Sequence, residues 1–550
     1  MLCLLSAASV VAGSPGHALP DSPRADAVVG TGTPASCTET DFDTAVSTVQ
    51  ASGGGTITFN CGGPHTIVFS SVRTITSQVV VKGGDVITLS GGDTTRLFSV
   101  AFGARLELRN ITLSNGYAAS GDGGAVFNDQ GVLHLEHARF LNNSTSAEGG
   151  SGGAIASTRG PVTAINSLFE NNSAANGGAV YLLFGDAVGT FTDTTFKDNR
   201  TLSEFSGLGG AIRLWIGASL TVRGCDFDGN SARNGGAIHN QFANVTVRIE
   251  RGTLVRRNTA DAGGGLWLAG TTIIDESVIV GNRGEATGGG IYHQGGTLTI
   301  RDSTIAENET MNGAGLRLHN GFTTLTRSTL VGNSADGNGG GIFLVSSVNA
   351  RLSVENSTLS GNSAFFGGGA ISTHTDSGSL EIDLRHVTIT DNVAHLAGRS
   401  GGLWVRPDFP AVDAVVTLTL TNTALSGNSS PTCSIAGSIA TAATARYSLW
   451  SDMSCSFGTA EANHPNTQAF LGPLVDNGGP TLTHAPLEGS PLINNGTCLS
   501  GVATDQRGAQ RLHGLACDIG SVEAGADFDG TIFADRFQST PPDFLNQHAQ

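Results

Sequence analysis

The chain has 550 residues, 78 of them Gly, and a formal net charge of −17 with a sequence pI near 5.2. That acidity argues against nucleic acid and anionic membrane surfaces as partners, since both demand a basic footprint. No internal stretch reads as apolar enough to span a bilayer, so no transmembrane segment is expected.

At the N-terminus, an apolar run closes on Gly16-His17-Ala18. It reads as the last part of a secretory signal over residues 1–18, cleaved after Ala18, although it lacks a positively charged start. Eight cysteines agree with export. Setting Cys3 aside with the signal, locality pairs Cys37 with Cys61, Cys433 with Cys455 and Cys498 with Cys517, all outside the repeats. Cys225, in the phrase GCDFDGN, is expected as a buried free thiol. Thr40–Gln50 reads as a short helix with a Thr/Asp start, placed to cover the open end of the first coil. The segment SGGGTITFNC then begins the strands.

From about residue 140 to 430 one phrase recurs, as in RFLNN, SLFENN, TTFKDN and STLSGN, answered by a glycine pair and an aliphatic strand, as in GGAIAS, GGAVYL, GGGLWL and GGGIYH. Its Asn stands at 143, 172, 199, 230, 258, 282, 308, 333, 362, 392 and 428, ten intervals over 285 residues and a mean period of about 28.5. Such a period means a solenoid. In the coil around residues 352–374, Leu352 and Val354 alternate inward, Leu359 follows, Asn362 takes the turn and Gly367–Gly369 lead to the next strand at Ile371. Three short strands per turn, stacked at roughly 4.8 Å, make a parallel β-helix. The expected fold is therefore all-β: a right-handed, single-stranded parallel β-helix of about 13 coils. A short helix closes its N-terminal end and a disulfide-stapled region its C-terminal end. The organisation expected is a signal at 1–18, the β-helix and its N-terminal cap at 37–430, a C-terminal region at 431–526 and a flexible tail at 527–550.

Identical Asn side chains stacked at strand spacing can each donate and accept along the pile, so the Asn column reads as a structural ladder. A second column, Arg223, Glu250, Asp275, Arg301, Thr326, Glu355 and Arg385, places opposite charges on neighbouring rungs.

The strand after each glycine pair holds the candidate functional face. Period-2 alternation turns Val180/Leu182, Ile212/Leu214, Leu266/Leu268, Ile342/Leu344 and Leu403/Val405 inward. The residues between them face out. Two outward columns result, and their candidate ligand-binding residues are Tyr181, Arg213, Trp215, His239, Trp267, Tyr292, Arg317, His319, Phe343, His374, Trp404 and Arg406. Aromatic rings with Arg, His and Gln between them suit a polymer, the rings stacking on sugars and the polar groups taking hydroxyls. In a second reading the rings only support one another, partly covered by the variable loops. Hydrolysis of a glycan needs two carboxylates, and the columns hold Asp129 alone. Asp193, Asp198, Asp226 and Asp228 are expected to solvate the turn beside the Asn ladder. His239, His319 and His374 fall on separated rungs, so no metal ligand, cofactor site or catalytic residue is assigned. The leading expectation is a secreted or surface-associated monomer that binds a polysaccharide or cell-surface glycan. A lyase or hydrolase with its site in loops 200–208, 393–400 or 406–414, or a purely structural spike, stands behind it.

The paired phrases GGA[I/V] and F-x-x-N resemble the repeats of chlamydial polymorphic outer membrane proteins and the wider pectate-lyase-like β-helix group, over about residues 123–428. The resemblance implies the fold; the pectin-hydrolase and pectate-lyase signatures are absent, so no catalytic residue transfers with it. The segment 470–526 resembles the choice-of-anchor Q domain of secreted bacterial β-helix proteins. That likeness rests on Asp476-Asn477-Gly478-Gly479, Ser490-Pro491-Leu492-Ile493, Asp505-Gln506-Arg507-Gly508, Arg511, Cys517-Asp518-Ile519-Gly520 and Glu523. The ending DFDGTIFADRFQSTPP is similar to short acidic-aromatic endings of exported proteobacterial proteins, with Arg536 where that pattern has Gly.

Overall fold

The computed structural model describes residues 24–526 except 147, 186, 204–205, 406–414, 436–440 and 458–459. The expected signal, the tail and Arg406 lie outside the described residues. Along each strand the alternation of the sequence becomes alternation of burial, as in Ser219–Arg223, where Leu220 and Val222 point in. Parallel pairing carries each strand onto its counterpart one coil later, for example Val180↔Ile212 and Phe196↔Phe227. The result is an all-β parallel solenoid of about 15 turns, slightly more than the 13 expected. The extra turns come from both ends. Ala27–Val29 pairs with Gly54–Phe59 ahead of the first counted coil. At the other end the ladders run past 430 through Leu449–Trp450 to His464–Pro465.

Three sheets line the coil. Sheet 1 holds the strands after the glycine pairs, sheet 2 the strands that follow them, and sheet 3 the strands of the F-x-x-N phrase. Inside, Val180, Leu182, Ile212, Leu214, Leu266 and Ile342 are fully buried. Phe140, Phe169, Phe196 and Phe227 form a stack with centroids 4.9, 4.9 and 4.7 Å apart, each pair adding roughly 0.5–1.5 kcal/mol beyond its burial. The Asn ladder is complete from Asn143 to Asn428. At each step the amide oxygen of the next Asn accepts from both the backbone N–H and the side-chain NH2 of the one before, as when Asn282 Oδ1 accepts from Asn258 N at 3.0 Å and from Asn258 Nδ2 at 2.9 Å. A shorter file of Ser and Thr hydroxyls lies at the turn between sheets 2 and 3, with Ser277 N donating to Ser303 Oγ and Ser303 N to Ser328 Oγ. Cys225 occupies this file as a free buried thiol, and burial pushes it up to about 12, which leaves it unreactive.

The helix α1, Glu39–Ala51, covers the N-terminal end. Thr38 and Asp41 form a capping box, and Phe42, Ala45, Val46 and Val49 are buried against the first coils. Arg73, 5% exposed, anchors the helix from below through its Nε to Asp43 Oδ1 at 2.7 Å.

All three expected disulfides are formed. At the C-terminal end Trp450, Cys455 and Phe457 close on the core beside the Cys433–Cys455 disulfide, but the later part of the C-terminal region does not continue the stack. After Pro465 the chain turns back and lies along the outer side of sheet 3. Its antiparallel hairpin, Leu471–Val475 with Thr483–Pro486, seats Leu474 on Val278, Val280, Ala306 and Val331. Further on, Leu492 and Ile519 pack on Ala424 and Leu449. The physical reason is a change in the outward residues of sheet 3. Early rungs carry charge there, in Arg139, Glu170, Lys197, Asp226, Asp228 and Arg256 among Leu141, Leu168 and Leu254, whereas later ones carry none, with Val278, Val280, Ala306, Val331, Thr358 and Thr388. Hydroxyls of the later rungs are satisfied by the returning chain: Thr358 Oγ1 donates to Gln506 Oε1 at 2.7 Å, and Thr329 Oγ1 to the Leu482 carbonyl at 2.7 Å.

Candidate ligand-binding face

Sheet 1 places Tyr181, Arg213, His239, Trp267, Tyr292, Arg317 and Phe343 on consecutive rungs, each register-paired to the next. Ser372 separates Phe343 from Trp404. His319 and His374 flank Val345 in the second column. Trp215 follows the strand Ile212–Leu214 and packs on Phe242 with centroids 4.8 Å apart.

The register is as expected, but the face is not an open platform. His239 is fully buried, Arg213 is 6% exposed, Tyr181 7%, Trp404 8% and Phe343 9%, while Trp215, Trp267, Tyr292, Arg317, His319 and His374 are half-buried. Two causes close it. The rings stack along the solenoid axis, so each covers its neighbour's face: His239 on Trp267 at 4.2 Å and Trp267 on Tyr292 at 5.7 Å. The chain ahead of each glycine pair also forms its own bridge ladder, Asn176, Leu208, Asn234, Ala262, which walls the column laterally. The first glycine of the pair is required there. Gly263 has φ +63°, and a Cβ on it would stand 2.8 Å from Trp267 Cβ. Sugars therefore cannot stack on most of these ring faces as the sequence suggested.

The arginines of the column are the unusual members. Arg213 lies over Tyr181 at 5.5 Å and over Trp215 at 4.9 Å, and Arg317 over Phe343 at 4.4 Å. Burial lowers both guanidiniums, that of Arg317 to about 10, with Tyr181 and Tyr292 acting weakly the other way. Neither has a carboxylate partner among the described residues. Arg213 Nε, Arg317 Nε and Nη1, Trp267 Nε1 and both ring nitrogens of His239 are buried without a hydrogen-bond partner. Burial also pushes the Tyr181 phenol up to about 12.

Three contributors were missed in the sequence because they lie in the variable loops. Arg96 sits over Phe127 at 5.3 Å and donates to the Gly123 carbonyl at 2.8 Å. Asp122, raised by burial, accepts from Ser151 N at 2.8 Å. Arg399 covers Trp404 at 4.6 Å. Of the turn carboxylates, Asp226 and Asp228 do not simply solvate their turn; they are ion-paired to Arg256 at 2.7 and 3.4 Å. Among the described residues no three His, Cys, Asp or Glu are grouped to hold a metal ion, and no helix is long and apolar enough to cross a membrane.

Residues 166–182 and 224–241 match the Chlamydia polymorphic membrane protein repeat. No curated protein matches the chain. Among solved structures it is similar to tailspike protein 3 of bacteriophage CBA120, at 14% identity over 70% of this chain with a TM-score of 0.37, and it spans 64% of that tailspike's length. The A-module of Azotobacter vinelandii mannuronan C-5 epimerase AlgE6 is similar at 12% identity over 75% of this chain and 100% of the module, TM-score 0.28. A mutant tailspike of E. coli bacteriophage HK620, solved with a pentasaccharide, is similar at 11% identity over 78% of this chain and 74% of the tailspike, TM-score 0.26. These likenesses concern the fold alone.

Proposed function

We propose that this chain is a secreted or surface-associated bacterial rod that binds an extended acidic glycan along the Arg/aromatic column of sheet 1. The observation that carries this reading is the pair Arg213 and Arg317: two largely buried guanidiniums, stacked on rings and lacking any described carboxylate. An unpaired cation held out of water costs several kcal/mol. In a chain of net charge −17, such an arrangement at two points of one column suits an anion supplied from outside. Four rungs separate the two arginines, roughly 19 Å at strand spacing, with His239, Trp267 and Tyr292 between them. A rigid file of this kind matches a polymer with recurring charge better than a small molecule.

Retention on affinity gels carrying an acidic polysaccharide, compared with a neutral one, tests the reading. Wild type should be retarded by the acidic gel only, and less so as salt rises. The double variant Arg213→Gln/Arg317→Gln should lose that retardation. Unchanged retention in a double variant with native circular dichroism would refute the proposal.

A further inference from the structure

A second site lies on the other side of the solenoid, where the returning C-terminal chain overhangs sheet 2. A cleft of about 470 Å³ opens between the outward residues of the strands Ser379–Thr390, Val415–Thr421 and Thr441–Arg446 and the loop at Leu499–Ser500. That volume suits a mono- or disaccharide. Two independent parts of the chain build the cleft. The overhanging loop is pinned at Thr497, whose N–H donates to Asn422 Oδ1 at 2.8 Å while Asn422 Nδ2 donates back to the Thr497 carbonyl at 2.6 Å. The Cys498–Cys517 disulfide holds the next residue.

The charges in the cleft do not cancel. Arg351 faces Glu381 at 3.5 Å and Arg385 pairs with Asp383 at 2.6 Å. Among the described residues Arg446 makes no ion pair: its Nε donates to Thr421 Oγ1 at 3.3 Å, and Glu461, its register partner on the next rung, forms no salt bridge with it. Register sets Thr421 between Arg385 and Arg446. We propose that this cleft binds the acidic end of a saccharide, with a uronate carboxylate on Arg446. A guanidinium fork suits a carboxylate. Glu381 and Asp383 oppose a bare inorganic anion but accept sugar hydroxyls, and Thr419, Thr421 and Ser500 add hydroxyl partners. Leu499 supplies an apolar contact for the ring. The assignment does not depend on the column of sheet 1, which lies on another sheet.

Glucuronate and glucose, titrated calorimetrically into the full chain, provide the test. Glucuronate should bind at least tenfold more tightly than glucose, Arg446→Gln should remove at least tenfold of that affinity, and Thr421→Val should weaken it. Arg213→Gln/Arg317→Gln should leave the Arg446-dependent part of that affinity unchanged. Equal binding of the two sugars, displacement by inorganic phosphate as strong as by glucuronate, or full affinity in a folded Arg446→Gln variant would overturn the assignment. Loss of glucuronate binding only in the sheet 1 double variant would overturn it too, while leaving the column reading intact.

Discussion

Arg511 donates from Nη2 to Asn356 Oδ1 at 2.6 Å, joining the returning C-terminal chain to a sheet 3 rung 155 residues earlier. The arginine is 2% exposed, its Nη1 lies 3.6 Å from Glu523 Oε2, and Glu523 is itself fully buried. Asn356 completes the junction by donating from Nδ2 to the Thr504 carbonyl at 2.8 Å. One cation thus ties the solenoid to Glu523, around which Asp505 and Asp518 are also buried.

Replacing Arg511 by Met removes the donor to Asn356 Oδ1 and the cation beside Glu523, so stability should fall by about 1–3 kcal/mol, the loss being limited because Glu523, already pushed up to about 7, can take a proton. Denaturant unfolding would measure it, and hydrogen exchange should localise the loosening to residues 471–526 and the sheet 3 rungs beneath. Adding Glu523→Gln to Arg511→Met should recover part of the loss. A double variant as unstable as the sum of the singles would show that the two side chains do not act as a pair.

The Asn ladder makes a sharper demand. Asn282→Ala takes the acceptor from Asn258 N and from one hydrogen of Asn258 Nδ2, which keeps only the Phe227 carbonyl, and removes the side-chain donor to the Val255 carbonyl. Each buried orphan costs roughly 1–3 kcal/mol, so a loss of about 3 kcal/mol or more is expected in the unfolding midpoint. Asn282→Asp keeps the acceptor for Asn258 but sets a carboxylate against the Val255 carbonyl, and it should not restore stability.

The ladder, the inward pairs and the register of the outward columns were legible because the period repeats them and each needs only its nearest coil. The returning C-terminal segment was not, since its partners are about 150 residues away and follow no period. A signal existed nonetheless: the outward columns of sheet 3 lose every charge after Arg256, with Val278, Val280 and Ala306 following, which marks a face that something covers. The candidate column was legible in position but not in exposure. Ring faces were expected to point to solvent, yet they stack along the axis because consecutive rungs bring them within contact distance. The loops that supply Arg96, Asp122 and Arg399 share no phrase from which their positions could be read.

Acid should weaken the C-terminal junction through His386. This ring is fully buried, is hydrogen-bonded to Asn422 Nδ2 at 2.8 Å, and is held down to about 2 by burial and then by Arg511. A histidine with a depressed folded pKa contributes its stability above the unfolded value of 6.5 and loses it as pH falls below that value. The loss should approach 1.4 kcal/mol per pH unit between about 6 and 4. Glu523, pushed up to about 7 by burial, works oppositely and gains as pH falls from 7 toward 4.5. Comparison with His386→Gln isolates the histidine, since Glu523 is common to both proteins. The stability difference should shift in the variant's favour toward acid, and a difference flat from pH 7 to 4.5 would contradict the buried neutral ring.

His239 offers a test in the opposite direction. Its ring is fully buried, stacked on Trp267 at 4.2 Å, and neither nitrogen has a partner. Burial and then the Arg213 charge keep it well below 6.5 and therefore neutral. If its role is to fill the stack, His239→Phe keeps the aromatic contact and removes two unpaired polar atoms. That change should raise stability by about 1 kcal/mol or more, read as a higher denaturation midpoint with unchanged slope. It should also spare the polysaccharide retention assigned to Arg213 and Arg317. A destabilised His239→Phe variant would instead mean that the imidazole nitrogens meet water or ligand inside the column, and retention measured on the same variant would decide between those two.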